Sequence, residues 1–409
     1  MNPFRIHGAV AGPFFTNRAA ELKRITRTLV EPGAKLLVVG ERRVGKTSAL
    51  LAAIDRVRHR GGKAFLVDLS TSSTLADVAT RLLQGASIGL GRSWKGLAAA
   101  LSRHVSATIT MKPDPASGLL IPTFQIEARR SAIAEQQRTL GQVLDVLEEV
   151  AAAKRTTIGI VLDEVQELHA LGGEQAEWHL RGVIQHHQHL AYVLAGSRPT
   201  LLREMVGEGR AFYGMLDTLA VGSIDAGHLA TWIDHRLAAA KLSARGVGAE
   251  CVALVGPRTR DIVQLARKAY DVALASGRRK IDGKIVAVAY SELIDDMEDG
   301  LRAQWDDASN IQRDVLRAVA GGRAGLTTEE TRSAFGLPAS GSVIKAATTL
   351  VDERRLIKSD TAATGYDFDS PYFRGWVSRT ALADIGVVFD EFADRTRSPN
   401  VPPRGPKRG

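Results

Sequence analysis

The octapeptide Gly40-Glu-Arg-Arg-Val-Gly-Lys-Thr47 constrains the fold of this chain more than any other feature of its sequence. It fits the pattern G-x-x-x-x-G-K-[ST] in full. An apolar run, Lys35–Val39, comes directly before it, and Ser48–Arg60 follows with a helical pattern. In this setting the glycines let the backbone wrap with its N–H groups pointing inward, and the N-terminus of the helix adds a partial positive charge. The motif therefore predicts a phosphate-binding loop within an α/β domain.

The loop residues have distinct expected roles. Lys46 should reach the β- and γ-phosphates of a nucleotide, and Thr47 should offer its hydroxyl to Mg²⁺. The expected cofactors are thus ATP, or a closely related nucleoside triphosphate, and Mg²⁺. The predicted nucleotide contacts in the loop are Gly40, Glu41, Arg42, Arg43, Val44, Gly45, Lys46, Thr47 and Ser48.

A second component stands at the end of another apolar run. Thr157–Leu162 is followed by two adjacent carboxylates, Asp163 and Glu164. Asp163 is expected to hold Mg²⁺ directly or through a water, and Glu164 to polarise the attacking water, so hydrolysis becomes feasible as well as binding. Acidic pairs after strands are common, so this prediction depends on the loop in the same chain.

The first half of the chain alternates short apolar runs with helix-length amphipathic stretches, which is typical of a parallel sheet covered by helices. The predicted strands are Lys35–Val39, Ala64–Leu69, Thr157–Leu162, Ala191–Ala195 and Thr218–Val221. Ligands of such sheets bind at the carboxyl ends of the strands. Ser197 follows the fourth run, so we expect it beside the carboxylates as a catalytic residue together with Lys46 and Glu164. The alternative is a turn serine that bonds the local backbone.

Several arginines are candidates for a cation on the transferred phosphate. They are Arg198, Arg203 and Arg210 near the edge of the predicted sheet, and Arg258 and Arg260 at the start of a later helix. Arginines on solvated faces are the default, and an arginine finger would need a correctly placed partner chain. Arg260 is the one predicted to contact the nucleotide.

Four segments together resemble the archaeal-type ATPase family, which sits among the AAA+/STAND-like P-loop ATPases near the Cdc6/Orc1 group. They are Phe14–Leu22, the loop with Arg42-Arg43, Asp163–Gln166 and Tyr366–Trp376. The resemblance implies that Phe14–Leu22 lies against the adenine, that a helical lid follows the sheet, and that the C-terminal unit is a winged helix. The strand between the two nucleotide motifs and the glutamate of the acidic pair also resemble the additional-strand, catalytic-glutamate division, which favours ATP over GTP.

Changes in periodicity divide the chain into four parts. Residues 1–225 are the predicted P-loop ATPase domain, with a hairpin inserted at about 104–130, and residues 226–298 are the helical lid. Residues 299–380 are the winged-helix domain, because helix, helix, helix, hairpin is the order of that fold. The segment 381–409 ends in a Pro/Gly/Arg-rich tail that cannot bury a core and is predicted to be disordered.

Composition limits the partners and the location. The formal charge is +9, but five of these charges lie in the last fifteen residues, which leaves +4 for the rest. The sequence leaves three kinds of partner open. They are DNA, bound through the winged helix and the basic tail, another protein, and further copies of this chain. No apolar run is long enough to cross a bilayer, which predicts a cytoplasmic protein without a membrane partner. The single cysteine excludes an internal disulfide and a CxxC site.

Two functions fit these observations. In one, the chain is an ATP-hydrolysing switch, in which the lid and the winged helix rearrange between nucleotide states. In the other, bound ATP fixes the geometry of a regulatory or scaffold module and is rarely hydrolysed. The second stays open because the sequence contains no identifiable arginine finger.

Overall fold

The computed structural model describes residues 2–6, 16–90, 94–113, 120–126, 131–321 and 324–383. The chain divides into two compact units, one made of residues 7–223 and the other of residues 1–6 with 224–409. Among the described residues, no helix is both long enough and apolar enough to span a membrane. Phe14 and Phe15, which the resemblance places against the adenine, lie outside the described residues, as does most of the predicted C-terminal tail.

The first unit alternates strands and helices along the chain. Its strands are β1 (Lys35–Val39), β2 (Lys63–Asp68), β3 (Ala107–Pro113), β4 (Leu120–Ile126), β5 (Ile158–Asp163), β6 (Leu190–Gly196) and β7 (Asp217–Ala220). Its helices are α1 (Ala19–Val30), α2 (Lys46–His59), α3 (Leu75–Leu90), α4 (Trp94–Leu101), α5 (Ile133–Ala153), α6 (Glu167–Ile184) and α7 (Pro199–Val206). The five strands predicted for the sheet are confirmed within one or two residues at each end.

Five of these strands form one parallel sheet in the order β2-β5-β6-β1-β7. Helices α1 and α2 pack against one face, whereas α3, α5 and α6 pack against the other. Both central strands, β5 and β6, are buried at every position, because a sheet covered on both faces has no solvent side. The parallel arrangement brings the carboxyl ends of β1, β5 and β6 to one edge, and the P-loop, the acidic pair and Ser197 follow those three strands.

The strand that separates the two nucleotide motifs in the sheet is β6. Residue by residue, β6 pairs with β1 on one side and with β5 on the other. The strand that lies between the motifs in the sequence, β2, is instead at the edge of the sheet beside β5. This is a parallel P-loop sheet of the AAA+ kind, with the additional strand supplied by the segment that ends at Ser197.

The predicted insertion is an antiparallel hairpin of β3 and β4. Ala107 pairs with Ile126 at its open end, and Pro113 pairs with Leu120 next to the turn. Phe124 and Ile126 are buried in the cluster that also contains α3, which anchors the hairpin to the unit. Residues 114–119 and 127–130 lie outside the described part of this region.

The second unit is mostly helical. Its helices are α8 (Ala226–Ala239), α9 (Val247–Val255), α10 (Thr259–Ala275), α11 (Gly283–Asp296), α12 (Glu298–Asp306), α13 (Asn310–Gly321), α14 (Glu329–Ala334), α15 (Ser340–Asp352) and α16 (Pro371–Trp376). An antiparallel pair, β8 (Leu356–Lys358) and β9 (Tyr366–Phe368), follows α15. The predicted order of three helices and a hairpin is therefore present in residues 310–368.

The predicted division between lid and winged helix, at 298/299, does not coincide with a break in the core of this unit. One continuous apolar cluster extends from Leu229 to Leu382. The Tyr290 hydroxyl donates to the Pro371 carbonyl over 2.8 Å, which connects α11 with α16 across that division. The two predicted domains are packed as one body.

Residues 2–6 belong to the second unit, although the predicted P-loop domain begins at residue 1. Phe4 is buried and packs edge-on against Trp232, with their ring centroids 5.8 Å apart. The Asn2 side chain donates to Asp271 over 2.8 Å, and Arg236 donates to the Pro3 carbonyl over 3.0 Å. These contacts join residues far apart in the sequence, so local periodicity does not reveal them.

Candidate functional site

The P-loop takes a conformation that depends on its glycines. A Cβ atom at Gly40 would lie 2.5 Å from the Val221 carbonyl oxygen, so only glycine fits there. Gly45 has a φ of 93°, in the left-handed region that favours glycine, and the first turn of α2 begins at the next residue. Gly45 provides no side-chain cap for α2. The N–H groups of this helix start are therefore available to an anion.

Lys46 is buried at the start of α2 without a hydrogen-bond partner for its Nζ atom among the described residues. Its Nζ lies 3.9 Å from Asp163 Oδ1 and 3.8 Å from Glu164 Oε1. Burial lowers the pKa of Lys46, and the two carboxylates oppose that shift. A buried ammonium group with unused donors fits the phosphate oxygens of a nucleotide, which would supply both the acceptors and the charge.

Thr47 and Asp163 form the oxygen-rich part of the site. The Thr47 hydroxyl donates to Asp163 Oδ2 over 2.8 Å, which joins the start of α2 to the end of β5. Burial raises the pKa of Asp163, against the opposing effects of Lys46 and the Thr47 hydrogen bond. Hard oxygen donors of this type suit Mg²⁺, which usually takes one or two protein ligands with phosphate oxygens and water. The pair fits the predicted metal role.

Glu164 is fixed immediately after β5 by its backbone and its side chain. Its φ is 54°, and the N–H group of the next residue, Val165, donates to the Ala195 carbonyl over 2.8 Å. This turn directs the Glu164 carboxylate to Ser197. The Ser197 hydroxyl donates to Glu164 Oε2 over 2.7 Å, and the Ser197 backbone N–H donates to the same oxygen over 3.3 Å.

Gln166 supplies a further hydrogen bond to Glu164. Its side-chain Nε2 donates to Glu164 Oε2, the oxygen that Ser197 also contacts. Burial alone would raise the pKa of Glu164, but the hydrogen bonds from Gln166 and Ser197 and the charge of Lys46 lower it. The carboxylate is thus held in the ionised form that a general base requires.

The structure brings together the predicted residues Lys46, Thr47, Asp163, Glu164 and Ser197. Of the remaining P-loop residues, Glu41, Arg42 and Arg43 have exposed side chains, whereas Val44 is buried and Ser48 is partly buried. Nucleotide contacts by the exposed side chains stay predictions.

Two residues of the site have roles that the sequence patterns did not predict. One is Gln166, whose only local signal is its place two residues after Glu164. The other is Arg18, which is 5% exposed and donates to the Val44 carbonyl of the P-loop over 2.9 Å. Arg18 also donates to the Gly222 carbonyl and pairs with Glu21 at 2.8 Å. It ties α1, the P-loop and the chain after β7 together.

The candidate arginines are in different environments. Arg198 and Arg203 are exposed near the end of β6. Arg210 lies 3.7 Å from Glu177 and 3.7 Å from Glu174, both on α6. These two carboxylates balance the charge of Arg210, so it would have to break two ion pairs to reach a phosphate.

The other two arginines belong to the second unit. Arg258 is buried and pairs with Asp369 at 2.5 Å, so its guanidinium holds the start of α10 against the chain after β9. Arg260 is exposed and lies two residues later, in the first turn of α10. A nucleotide contact by Arg260 stays a prediction.

Comparisons with known proteins agree with this geometry. The model of a family described as an ATPase domain predominantly from Archaea matches residues 15–232. The fold is similar to a Walker-type ATPase of Pyrococcus abyssi, with a TM-score of 0.60, 16% identity, and coverage of 91% of this chain and 99% of that chain. It is also similar to the ADP form of the ORC2 protein of Aeropyrum pernix, with a TM-score of 0.51, 14% identity, and coverage of 97% and 98%.

At these identities the structural likeness shows the fold, and a search of curated proteins finds no match. The family match extends over more than half of the chain and contains the P-loop, the acidic pair and Ser197. This chain belongs to the archaeal-type family of P-loop ATPases.

Proposed function

We propose that the chain binds ATP with Mg²⁺ and hydrolyses it slowly, using Glu164 as the general base. The observation that carries this proposal is the buried Lys46 ammonium, which lies within 4 Å of both Asp163 and Glu164 and has no hydrogen-bond acceptor among the described residues. A triphosphate supplies the missing acceptors, and its γ-phosphate then lies close to the carboxylate that can activate water.

Each residue has one task in this reaction. The P-loop N–H groups and Lys46 would hold the β- and γ-phosphates, and Thr47 and Asp163 would hold Mg²⁺, which would supply positive charge for the phosphate oxygens. Glu164 orients a water molecule for attack on the γ-phosphorus and accepts its proton. The bond between that phosphorus and the β,γ-bridging oxygen breaks, and the products are ADP and inorganic phosphate. Ser197 keeps the Glu164 carboxylate in position.

The binding step can be tested by titrating ATP into the wild-type protein and the Lys46→Ala variant, with and without Mg²⁺. Loss of the ammonium group should weaken the affinity for ATP at least about tenfold. Lys112→Ala, at an exposed position on the inserted hairpin, is the matched control and should bind like the wild type. Equal affinities in the two variants would show that Lys46 does not contact the nucleotide.

We further propose that residues 310–368 act as a winged helix that contacts a partner. The exposed face of its third helix, α15, carries Ser342, Ile344, Lys345, Thr348 and Asp352, of which only Lys345 is a cation. Base readout in the major groove normally uses arginine, lysine, asparagine or glutamine. This composition favours a protein contact over specific DNA readout.

DNA binding by the winged helix or by the basic tail is tested with a salt titration of full-length protein and of a 1–394 truncation. Attraction through the tail alone should disappear on truncation and fall steeply with salt. Binding that survives truncation and is lost in Lys345→Glu would assign DNA to the winged helix.

A second candidate function is an ATP-stabilised scaffold with little hydrolysis. It is favoured because two of the candidate arginines already form ion pairs with carboxylates. Arg210 is engaged by Glu174 and Glu177, and Arg258 is engaged by Asp369. If no arginine of the isolated chain contacts the γ-phosphate, the turnover of ATP should be low. It should rise when a second protein molecule supplies an arginine, for example a neighbouring copy in an oligomer. Phosphate release measured at several protein concentrations distinguishes a scaffold with little hydrolysis from an ATPase that is activated by assembly. Assembly would make the specific activity rise with protein concentration, whereas a scaffold would stay nearly inactive.

A further inference from the structure

A groove runs between α1 and α2 on the outer side of the P-loop unit. Its volume is 590 Å³, and among the described residues that line it none is a carboxylate. Four cationic side chains line it, Lys23 and Arg27 from α1, Arg56 from α2, and Arg60 directly after α2. We refer to it as the α1–α2 groove. It therefore has two positive charges on each wall.

The floor of the α1–α2 groove is apolar. Val57 of α2 lies beneath it and is almost fully buried, whereas Ala19 and Val30 of α1 are exposed along it, Val30 to 49%. An exposed valine does not contribute hydrophobic stabilisation to the fold, because its apolar surface stays in contact with water. The groove thus combines exposed apolar side chains with a positive charge on both sides.

The cations of the groove are poorly neutralised. Arg27 lies 3.3 Å from Glu31, and both side chains are largely exposed. Within the part of the chain that the structure describes, Lys23, Arg56 and Arg60 form no ion pair within 4 Å. Basic residues in the last turn of a helix also stabilise the helix dipole, which accounts locally for Arg27 and Arg56. That effect does not explain Lys23 in the middle of α1, or the uncovered Val30.

We propose that the α1–α2 groove binds an acidic amphipathic helix of a protein partner. Such a helix would lay its apolar face on Ala19 and Val30 and place carboxylates against the cations of both walls. Charge complementarity on both sides would select acidic partners and raise the association rate. A nucleic-acid backbone would use the cations but would leave the apolar floor uncovered, so the floor favours a peptide. This proposal is independent of hydrolysis at the P-loop.

The probe is a fluorescent 16-residue designed peptide with leucines along one helical face and glutamates on both flanks. It should bind the full-length protein saturably in fluorescence anisotropy. A scrambled peptide of the same composition has the same charge without the amphipathic face and should bind at least about tenfold more weakly. Equal binding of the two peptides would overturn the proposal, because it would mean that charge attraction alone is responsible.

The groove is tested with one charge reversal on each wall. The double variant Lys23→Glu, Arg56→Glu should raise the dissociation constant of the peptide at least about tenfold, and Val30→Ser should weaken binding without changing the charge. The matched control is Lys112→Glu, Arg138→Glu, which changes the net charge equally at exposed positions outside the groove. Circular dichroism melting checks that each variant is folded.

Two other results would contradict the proposal. One is peptide binding that the groove variants and the control variant weaken equally, since the site would then lie elsewhere. The other is binding of a 20-base-pair DNA duplex to the wild-type protein that is weaker in the groove variants, while the duplex does not displace the bound peptide. That result would assign the cations of the groove to nucleic acid.

Discussion

The hydroxyl of Ser197, at the end of β6, donates a 2.7 Å hydrogen bond to Glu164 Oε2, at the end of β5. The bond joins two neighbouring strands at the edge where the P-loop also lies. It orients the carboxylate that we assign as the general base, and it helps to keep the pKa of that carboxylate low. We therefore propose that Ser197 is a positioning residue for Glu164.

Replacing Ser197 by alanine should lower the turnover of ATP more than its binding. Without the hydroxyl, the Glu164 carboxylate loses one of its fixed contacts and samples unproductive orientations, which should reduce kcat about 10- to 100-fold. The ATP affinity should stay within about twofold, because Ser197 is assigned no contact with the phosphates. Steady-state phosphate release and ATP titration measure the two effects. Ser102→Ala, in which an exposed hydroxyl bonded to a local carbonyl is lost, is the control.

Replacing Gln166 by leucine should move the acidic limb of the pH–rate profile. The Gln166 amide donates to Glu164 and lowers the pKa of the carboxylate. A general base works in its ionised form, so activity is lost as the pH falls through this pKa. Removing the donor raises the pKa, and the limb should therefore move to higher pH. An acidic limb that is unchanged in Gln166→Leu would show that Gln166 does not influence the pKa of Glu164. Gln185→Leu, at an exposed glutamine, should leave the profile unchanged.

Replacing Thr47 by valine should affect Mg²⁺ more than the nucleotide itself. The substitution keeps the side-chain shape but removes the hydroxyl that bonds to Asp163. The Mg²⁺ concentration that half-saturates hydrolysis should rise at least about tenfold, while ATP binding without Mg²⁺ should be nearly unchanged. Thr80→Val, which removes a hydroxyl bonded to the local Ala76 carbonyl, serves as the comparison. A parallel loss in both variants would point to a general effect on folding.

Replacing Arg18 by methionine should destabilise the P-loop unit. The change removes a buried cation that bonds the Val44 and Gly222 carbonyls and pairs with Glu21, so two carbonyls and a carboxylate lose a donor. We expect the free energy of unfolding in urea to fall by about 2–4 kcal/mol. Arg24→Met, which breaks an exposed pair with Asp217, should cost at most about 1 kcal/mol. Equal decreases in the free energy of unfolding of the two variants would show that the buried contacts of Arg18 stabilise the unit no more than an exposed ion pair does.

Much of the fold follows from local sequence patterns. The strands of the sheet are short runs bounded by glycine or polar residues, and such runs specify their length. They also specify burial for β5 and β6, but the edge strand β7 is largely exposed. The P-loop could be assigned because its glycines, Lys46 and Thr47 form one contiguous motif between a strand and a helix. Asp163 and Glu164 could be assigned because a fully apolar run ends at them.

Other features depend on contacts between distant residues. The position of β6 between β1 and β5 rests on pairing with strands that are distant in the sequence. Arg18 resembles any other helix-start arginine until the fold brings Val44 and Gly222 to it. Phe4 packs against Trp232 across more than two hundred residues, so a boundary based on periodicity cannot separate residues 2–6 from the P-loop unit.

The most direct test of the assignment of Glu164 as the general base is hydrolysis by the Glu164→Gln variant in a single-turnover experiment with bound ATP and Mg²⁺. Glutamine keeps the size of the side chain and its hydrogen-bonding capacity toward Ser197, but it cannot accept the proton of the attacking water. We predict that ATP binds as tightly as to the wild type and that the rate of phosphate formation falls at least about 100-fold. A single-turnover rate equal to that of the wild type would contradict the assignment of Glu164 as the catalytic base.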